Sequence, residues 1–275
     1  MPQAEPGAVG EGVPGDGLLV PPAVAEVLAA ATRASHADAV LLTSSFPNKE
    51  AAARLAFLTG AGLVVDASAL HDDGTHLVAD KRVFAGSWDV RSEILTDPAV
   101  LTLRANSVVP QPADAAVATE VEALRVELTP AATAARVVSR TVDASAGAGH
   151  PALGEAAIVV AGGRGTNGDF GPVVELADAL GAAVGATRDA VYEGWHDQFV
   201  GQTGVTVAPR LYIGAGISGA PHHRGGMQAS QVIVAVNNDP ECPLFEISDF
   251  AVVGDLADVL PQAAEVLREH RASQG

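Results

Sequence analysis

Apolar positions along the chain follow two rhythms, short continuous runs and longer stretches with helical spacing. "VPPAVAEVLAAATRASHA" (20–37) repeats its apolar residues as a helix would, with Pro21 and Pro22 where a helix begins. "DAVLLTSS" (38–45) has the length and apolarity of a buried strand. "NKEAAARLAFLTG" (48–60) predicts a helix stopped at Gly60, and "GLVVDAS" (62–68) another strand.

The pattern changes at residue 76. Residues 76–109 alternate in period two, with turn signals at Gly86 and Asp97-Pro98, which predicts an antiparallel region. "ALRVELT" (123–129) and "ARVVSRTV" (135–142) continue that style. "DASAGAGHPALG" (143–154) is small and polar, the composition of an interdomain linker.

After it the α/β rhythm restarts. "AAIVVAGG" (156–163), "AAVGAT" (182–187), "RLYIGAG" (210–216), "QVIVAVN" (231–237) and "FAVVGD" (250–255) predict strands. "FGPVVELADALG" (170–181) predicts a helix ending at Gly181, and "LADVLPQAAEVLREH" (256–270) a final helix that Pro261 kinks or begins. The fold class is α/β with two domains: residues 18–142 behind a flexible Gly/Pro-rich tail (1–17), and residues 155–275 as an open parallel sheet flanked by helices. Such sheets bind ligands at the carboxyl edge of their strands.

Composition narrows the function classes. Apolar residues make up 48% and aromatics 4%, so both cores rest on Ala, Val and Leu. Thirty-three Asp and Glu against 16 Lys and Arg give a net charge of −17, which argues against a nucleic-acid surface. A single cysteine, Cys242, excludes an internal disulfide and a cysteine-ligated metal centre. The amino terminus lacks the charged and apolar regions of a signal peptide, and no apolar run is long enough to span a bilayer. The expectation is a soluble, cytoplasmic chain with no membrane insertion and no bound metal.

Candidate chemistry gathers in the second half. "GAGISG" (214–219) places Gly214, Gly216 and Gly219 at dinucleotide-loop spacing, after a strand and before a helix. The following strand ends in Asn237, where a nicotinamide site would be expected to carry a carboxylate. "AGGRG" (161–165) offers Arg164 in a glycine turn, and "GATRD" (185–189) offers Thr187 and Arg188, either to an anion or to a salt bridge with Asp189. "VGQTG" (200–204) sets Gln202 and Thr203 between glycines. His222 and His223 are adjacent, so on a helix they point about 100° apart and at most one faces a ligand squarely. Besides a site for some other nucleotide cofactor or a plain tight turn, two readings remain open: an NAD-dependent oxidoreductase, and a shortened non-catalytic paralogue that binds nucleotide or a partner without carrying electrons.

Taken in order, "VVAGGRG", "LADALGAAVGATRDAV", "VGQTG", "APRLYIGAGISGA" and "HHRGGMQASQVIVAVNNDPECPLFEISDFAVVGDL" resemble the flavin-binding domain of the electron-transfer flavoprotein α subunit. "LAFLTGAGLVVDASAL" and "RVFAGSWDVRSEILTDPAVLTLRANSV" resemble the family's amino-terminal domain more loosely. The resemblance implies a Rossmann-like FAD-binding domain over 155–275 and a shortened amino-terminal α/β domain with antiparallel additions that contacts a β subunit. The family usually opens with a further strand and α/β unit, which this chain does not show.

The resemblance also implies a role for each residue of an FAD site. Arg164 falls near the pyrophosphate, Thr187 keeps a hydroxyl where the family usually has Ser, and Arg188 lies over the isoalloxazine ring, where its charge favours reduced anionic flavin. Val200, Gly201, Gln202 and Thr203 match the loop near the ring, with the Thr203 hydroxyl at N5. Ser218, Gly219, Ala220, Pro221, His222 and His223 match a flavin-contacting segment, His223 standing near O2. Asn237, Asp255 and Leu256 match positions that hold the adenosine part. The implied partners are a β subunit, flavin dehydrogenases such as acyl-CoA dehydrogenases, and a quinone reductase as acceptor. His222 departs from the family, which commonly has Gln there.

Overall fold

The computed structural model describes residues 20–84, 87–108, 121–139 and 149–274. Their contacts define two compact units, one with residues 20–81, 91–104, 108 and 121–139, the other with residues 82–84, 87–90, 105–107 and 149–274. The expected tail, Gly86 and the first half of the expected linker (143–148) lie outside the described residues.

In the first unit, α1 (Pro21–Ser35) and α2 (Phe46–Thr59) pack on a parallel sheet of β1 (Ala39–Thr43), β6 (Ala99–Leu103) and β2 (Gly62–Ala67), in the order β1-β6-β2. Ala25, Ala29, Ala52 and Leu55 meet Val100 on the helical face. Small residues let the helices lie close on the strands. The sequence expectation started α2 two residues late: Ser45 caps it, its hydroxyl accepting the Asn48 N–H at 3.3 Å, and Phe46 and Pro47 form its first turn. Gly60 stops it in the left-handed region, as expected.

On the other face of that sheet, β3 (Ala69–Asp72), β4 (Leu77–Val83) and β5 (Trp88–Ile94) form a separate three-stranded sheet with β3 and β4 antiparallel. The antiparallel expectation for 76–109 therefore holds for part of the segment and fails at 99–103. Ala99, Val100, Leu101 and Thr102 are buried, so β6 has apolar layers on both sides and takes the central place of the parallel sheet. Residues 123–129 and 135–139 form no strand, contrary to the pattern reading. Most of their side chains are exposed, so alternation there has no sheet face to bury.

The second unit is an open parallel sheet in the order β8-β7-β9-β10-β11. Its strands are β7 (Ile158–Gly162), β8 (Ala183–Ala186), β9 (Leu211–Ala215), β10 (Val232–Asn237) and β11 (Phe250–Val253), each within the segment expected for it. Alternate residues feed two cores. Val160, Ile213 and Val236 point to α3 (Gly171–Leu180) and α6 (Leu256–Gln274), while Val159, Tyr212 and Ile233 point to the opposite face with Met227 and Leu244. Pro261 lies inside α6, one turn from its start. In chain order this sheet reads 2-1-3-4-5. The chain leaves β7 towards β8 on one side and returns to β9 on the other, which opens a crevice at the strand ends.

Candidate functional site

The crevice lies between the loops after β7 and β9. Gly163 N–H donates to Ala215 O at 2.9 Å and Gly165 N–H to Gly216 O at 3.0 Å, which ties the loops together. A Cβ on Gly163 would sit 2.3 Å from Gly216 O, and one on Gly165 2.6 Å from Gly216 Cα. The glycines at these two positions are needed where loop meets loop. In the dinucleotide-like loop, Gly216 and Gly219 adopt φ of 62° and 85°, and a Cβ on Gly219 would press on Leu244 N at 2.8 Å.

Above this floor is a cavity of about 270 Å³. Arg164 and Arg188 bring guanidinium groups to it, Ile217, Phe199 and Pro243 give it apolar wall, and Ser218, Asn237, Cys242, Asp189 and Asp239 add polar groups. Arg164 Nε approaches Asp189 Oδ2 at 3.5 Å, and both are largely exposed, so the pair contributes at most about 1 kcal/mol. The salt bridge considered for Arg188 is thus made by Arg164. Arg188 instead opens the short helix α4 (Arg188–Tyr192), its Cζ 5.9 Å from the Tyr192 ring centroid. Thr187 caps that helix through a long 3.5 Å contact from Ala190 N–H.

The two histidines stand at the start of α5 (Pro221–Met227) and divide as helical geometry requires. His223 is buried. Its Nδ1–H donates to Val200 O at 3.1 Å, which leaves Nε2 to accept the Tyr212 hydroxyl at 2.8 Å. Burial holds the ring neutral by lowering its pKa to about 4, against a smaller upward effect of the Val200 carbonyl. The same burial raises the Tyr212 phenol. His222 is exposed and lines the cavity, with Nδ1 3.2 Å from Gln202 Oε1. Gln202 N–H in turn donates to His222 O at 2.9 Å.

Expected site residues therefore fall into two sets. Arg164, Thr187, Arg188, Ser218, Ala220, His222, His223 and Asn237 line the cavity. Val200 is buried and Gly201 packs against Gly226. Gln202 and Thr203 are exposed, Gln202 against His222, while Gly219 belongs to the turn into α5 and Pro221 is the first residue of that helix. Asp255 caps the start of α6, accepting Ala257 N–H at 2.9 Å, and Leu256 is core packed under Gly216. Asn237 also has a structural part. Its amide nitrogen donates to Ile217 O at 3.2 Å and its Oδ1 accepts Asp239 N–H at 3.0 Å, so it joins the glycine loop to the loop after β10.

Sequence reasoning missed Phe199, Asp239, Cys242 and Pro243 in the lining, and Tyr212 behind it. Tyr212 and His223 lie 11 residues apart, on an inward strand position and the inward face of α5, and two polar residues at buried positions were the available signal. Among the described residues no group of three His, Cys, Asp or Glu converges as metal ligands, and no helix is long and apolar enough to cross a membrane.

Two guanidiniums, a glycine-built floor and an apolar wall at the crevice of a 2-1-3-4-5 sheet suit a dinucleotide, whose pyrophosphate needs cations and whose rings need apolar contact. This is a dinucleotide-binding α/β protein. The electron transfer flavoprotein FAD-binding domain matches residues 152–228, and the electron transfer flavoprotein domain matches residues 18–129. The electron transfer flavoprotein subunit alpha of Mycobacterium leprae is 44% identical over 96% of this chain and 81% of its own length. Those of Paracoccus denitrificans and Bacillus subtilis are 39% and 37% identical, each over 89% of this chain and 76% and 75% of their own lengths. The chain belongs to the electron transfer flavoprotein α-subunit family, and its second unit contains that family's FAD-binding domain.

Proposed function

We propose that the chain is the α subunit of a heterodimeric, cytoplasmic electron carrier, paired with a β subunit through residues 18–142. Residues 143–154 link that region to the FAD-binding domain, 155–275. Flavin dehydrogenases, acyl-CoA dehydrogenases among them, deliver electrons, and a quinone reductase or similar acceptor takes them. The observation that supports the reading is the arginine-bearing cavity at the sheet crevice, most of whose lining falls within the segment matched to an FAD-binding domain. The protein is a carrier rather than an enzyme with its own substrate.

Bound FAD supplies the redox chemistry. The chain's residues bind it and set its electrostatic surroundings. Arg164, Ser218 and Thr187 hold the pyrophosphate side, and Asn237, Asp255 and Leu256 shape the adenosine side. Arg188 places a fixed positive charge beside the ring, which favours uptake of negative charge. Gln202 and Thr203 meet the ring from the 200–204 loop. His223 acts through that loop, because its Nδ1–H pins Val200. An NAD site is disfavoured by Asn237, whose amide is already committed to protein.

Co-expression with the β subunit is expected to give a yellow heterodimer whose visible spectrum bleaches on photoreduction. A colourless chain that binds NADH would overturn the reading. Arg188→Ala is expected to retain part of its FAD and to lower the midpoint potential by roughly 30 mV, about 1.4 kcal/mol for a two-electron couple. An unchanged potential in spectroelectrochemical titration would remove Arg188 from this role.

A further inference from the structure

His222 lines the cofactor cavity, stands exposed to solvent, and has its ring oriented by one protein contact. That contact is Nδ1–H to Gln202 Oε1, at 3.2 Å. Gln202 is itself fixed, because its N–H donates to His222 O. The two residues thus grip each other by backbone and side chain. Nε2 makes no hydrogen bond among the described residues and is the ring atom left for a proton or a ligand. Its neighbour cannot serve: His223 has both nitrogens on protein partners and is buried neutral.

We propose that His222 is a proton-coupled residue of the cofactor site, its Nε2 taking up a proton when FAD bound in the adjoining cavity is reduced. The inference rests on the FAD reading above. Reduction brings two electrons from the donor dehydrogenase, or from an electrode, and one proton from water to the flavin. The reduced flavin then carries one negative charge. The second proton goes to His222 Nε2, so an imidazolium faces that charge and the site gains no net charge. Histidine is the side chain whose ordinary titration lies between about pH 5 and 8.

The other charges around the cavity set its direction. Arg164 and Arg188 come from the loop after β7 and from α4, and Asp189 and Asp239 answer them from α4 and the loop after β10. Arg224, on the same helix as His222, is neutralised by Glu246 at 3.0 Å. Cys242 is buried in the wall, and Tyr192 lies behind Arg188. No carboxylate is bonded to His222 among the described residues, so new negative charge on the flavin is the change its proton answers.

The test is a midpoint-potential titration of the FAD-loaded heterodimer between about pH 5 and 8, with His222→Gln as comparator. Glutamine keeps a polar side chain at Gln202 but does not titrate. The wild type is expected to show a steeper fall of potential with pH, by up to about 30 mV for each tenfold change in proton activity in a two-electron couple. The His222 ring resonance in NMR is expected to titrate at higher pH in the reduced than in the oxidised protein. Parallel slopes for the two proteins, or an unmoved His222 titration, overturn the proposal while leaving the FAD reading intact. Failure of both proteins to bind FAD overturns the two together.

Discussion

Both units carry a parallel sheet with polar residues at the carboxyl ends of its strands, yet those residues do different things. At the edge of β1-β6-β2 the groups answer one another. Asn48 Nδ2 donates to Thr43 Oγ1 at 2.8 Å, the Ser44 and Thr102 hydroxyls bond at 2.6 Å, and Lys49 Nζ pairs with Asp66 at 2.6 Å. At the edge of β7 and β9 the side chains of Arg164 and Arg188 instead stand at a cavity, and only weak protein contacts hold them. Backbone bonds between glycines close the floor there without using side chains. The lesson is that a strand edge becomes a ligand site when its charged groups are left over after the loops have been satisfied.

The largest expected effect tests whether that glycine floor is the difference. Gly163→Ala puts a methyl 2.3 Å from Gly216 O, a backbone atom. It is expected to cost about 3 kcal/mol and to abolish FAD retention, read by urea unfolding and by absorbance after gel filtration. Gly60→Ala, at φ 71° with open space around it in the first unit, is expected to cost about 1 kcal/mol with FAD retained. Equal losses of FAD in the two variants would erase the contrast.

Acid separates the units next. His223 titrates near 6.5 when unfolded and about 4 when folded, so only the unfolded chain binds its proton as pH falls through this window. Stability contributed by neutral His223 is complete above pH 6.5 and falls towards pH 4, by about 2 kcal/mol at pH 5. His196, also lowered by burial, adds in the same direction. In the first unit Asp80 is held down to about 2, first by the Arg91 hydrogen bond and then by His71, so its contribution persists until pH drops below the ordinary carboxylate range. Urea titrations at stepped pH, followed by amide hydrogen exchange of β1 and β6 in the first unit and of β7 and β9 in the second, should show the second unit weakening first. Simultaneous weakening would break the comparison.

The smallest effect is confined to the first unit. Arg91→Leu is expected to raise the Asp80 pKa towards its ordinary value, read by carboxyl NMR, while FAD content stays unchanged. A change in FAD content would show that this surface network reaches the cofactor.

Much of the second unit was legible because its strands are unbroken apolar runs and its helix α3 ends at a glycine in the left-handed region. The same logic failed at 99–103. "AVLTL" reads equally well as an edge hairpin strand or a central parallel one, and only burial from both sides decides. Residues 123–139 show the converse, alternation without a sheet to receive it. In the site, Arg164, Arg188 and Asn237 could be named from glycine loops and strand ends. Phe199, Asp239, Cys242 and Pro243 could not, because they converge from separate loops that no spacing relates.

The sequence by itself determined the α/β order of the second unit, its glycine stops, and the presence of arginines at strand ends, because these depend on local periodicity and backbone conformation. Tertiary structure decided which histidine is buried. A helix turns about 100° per residue, so adjacent side chains must diverge, but the direction in which α5 lies on the sheet selects the inner one. It set His223 against Tyr212 and Val200, and left His222 facing the cavity with a nitrogen to spare.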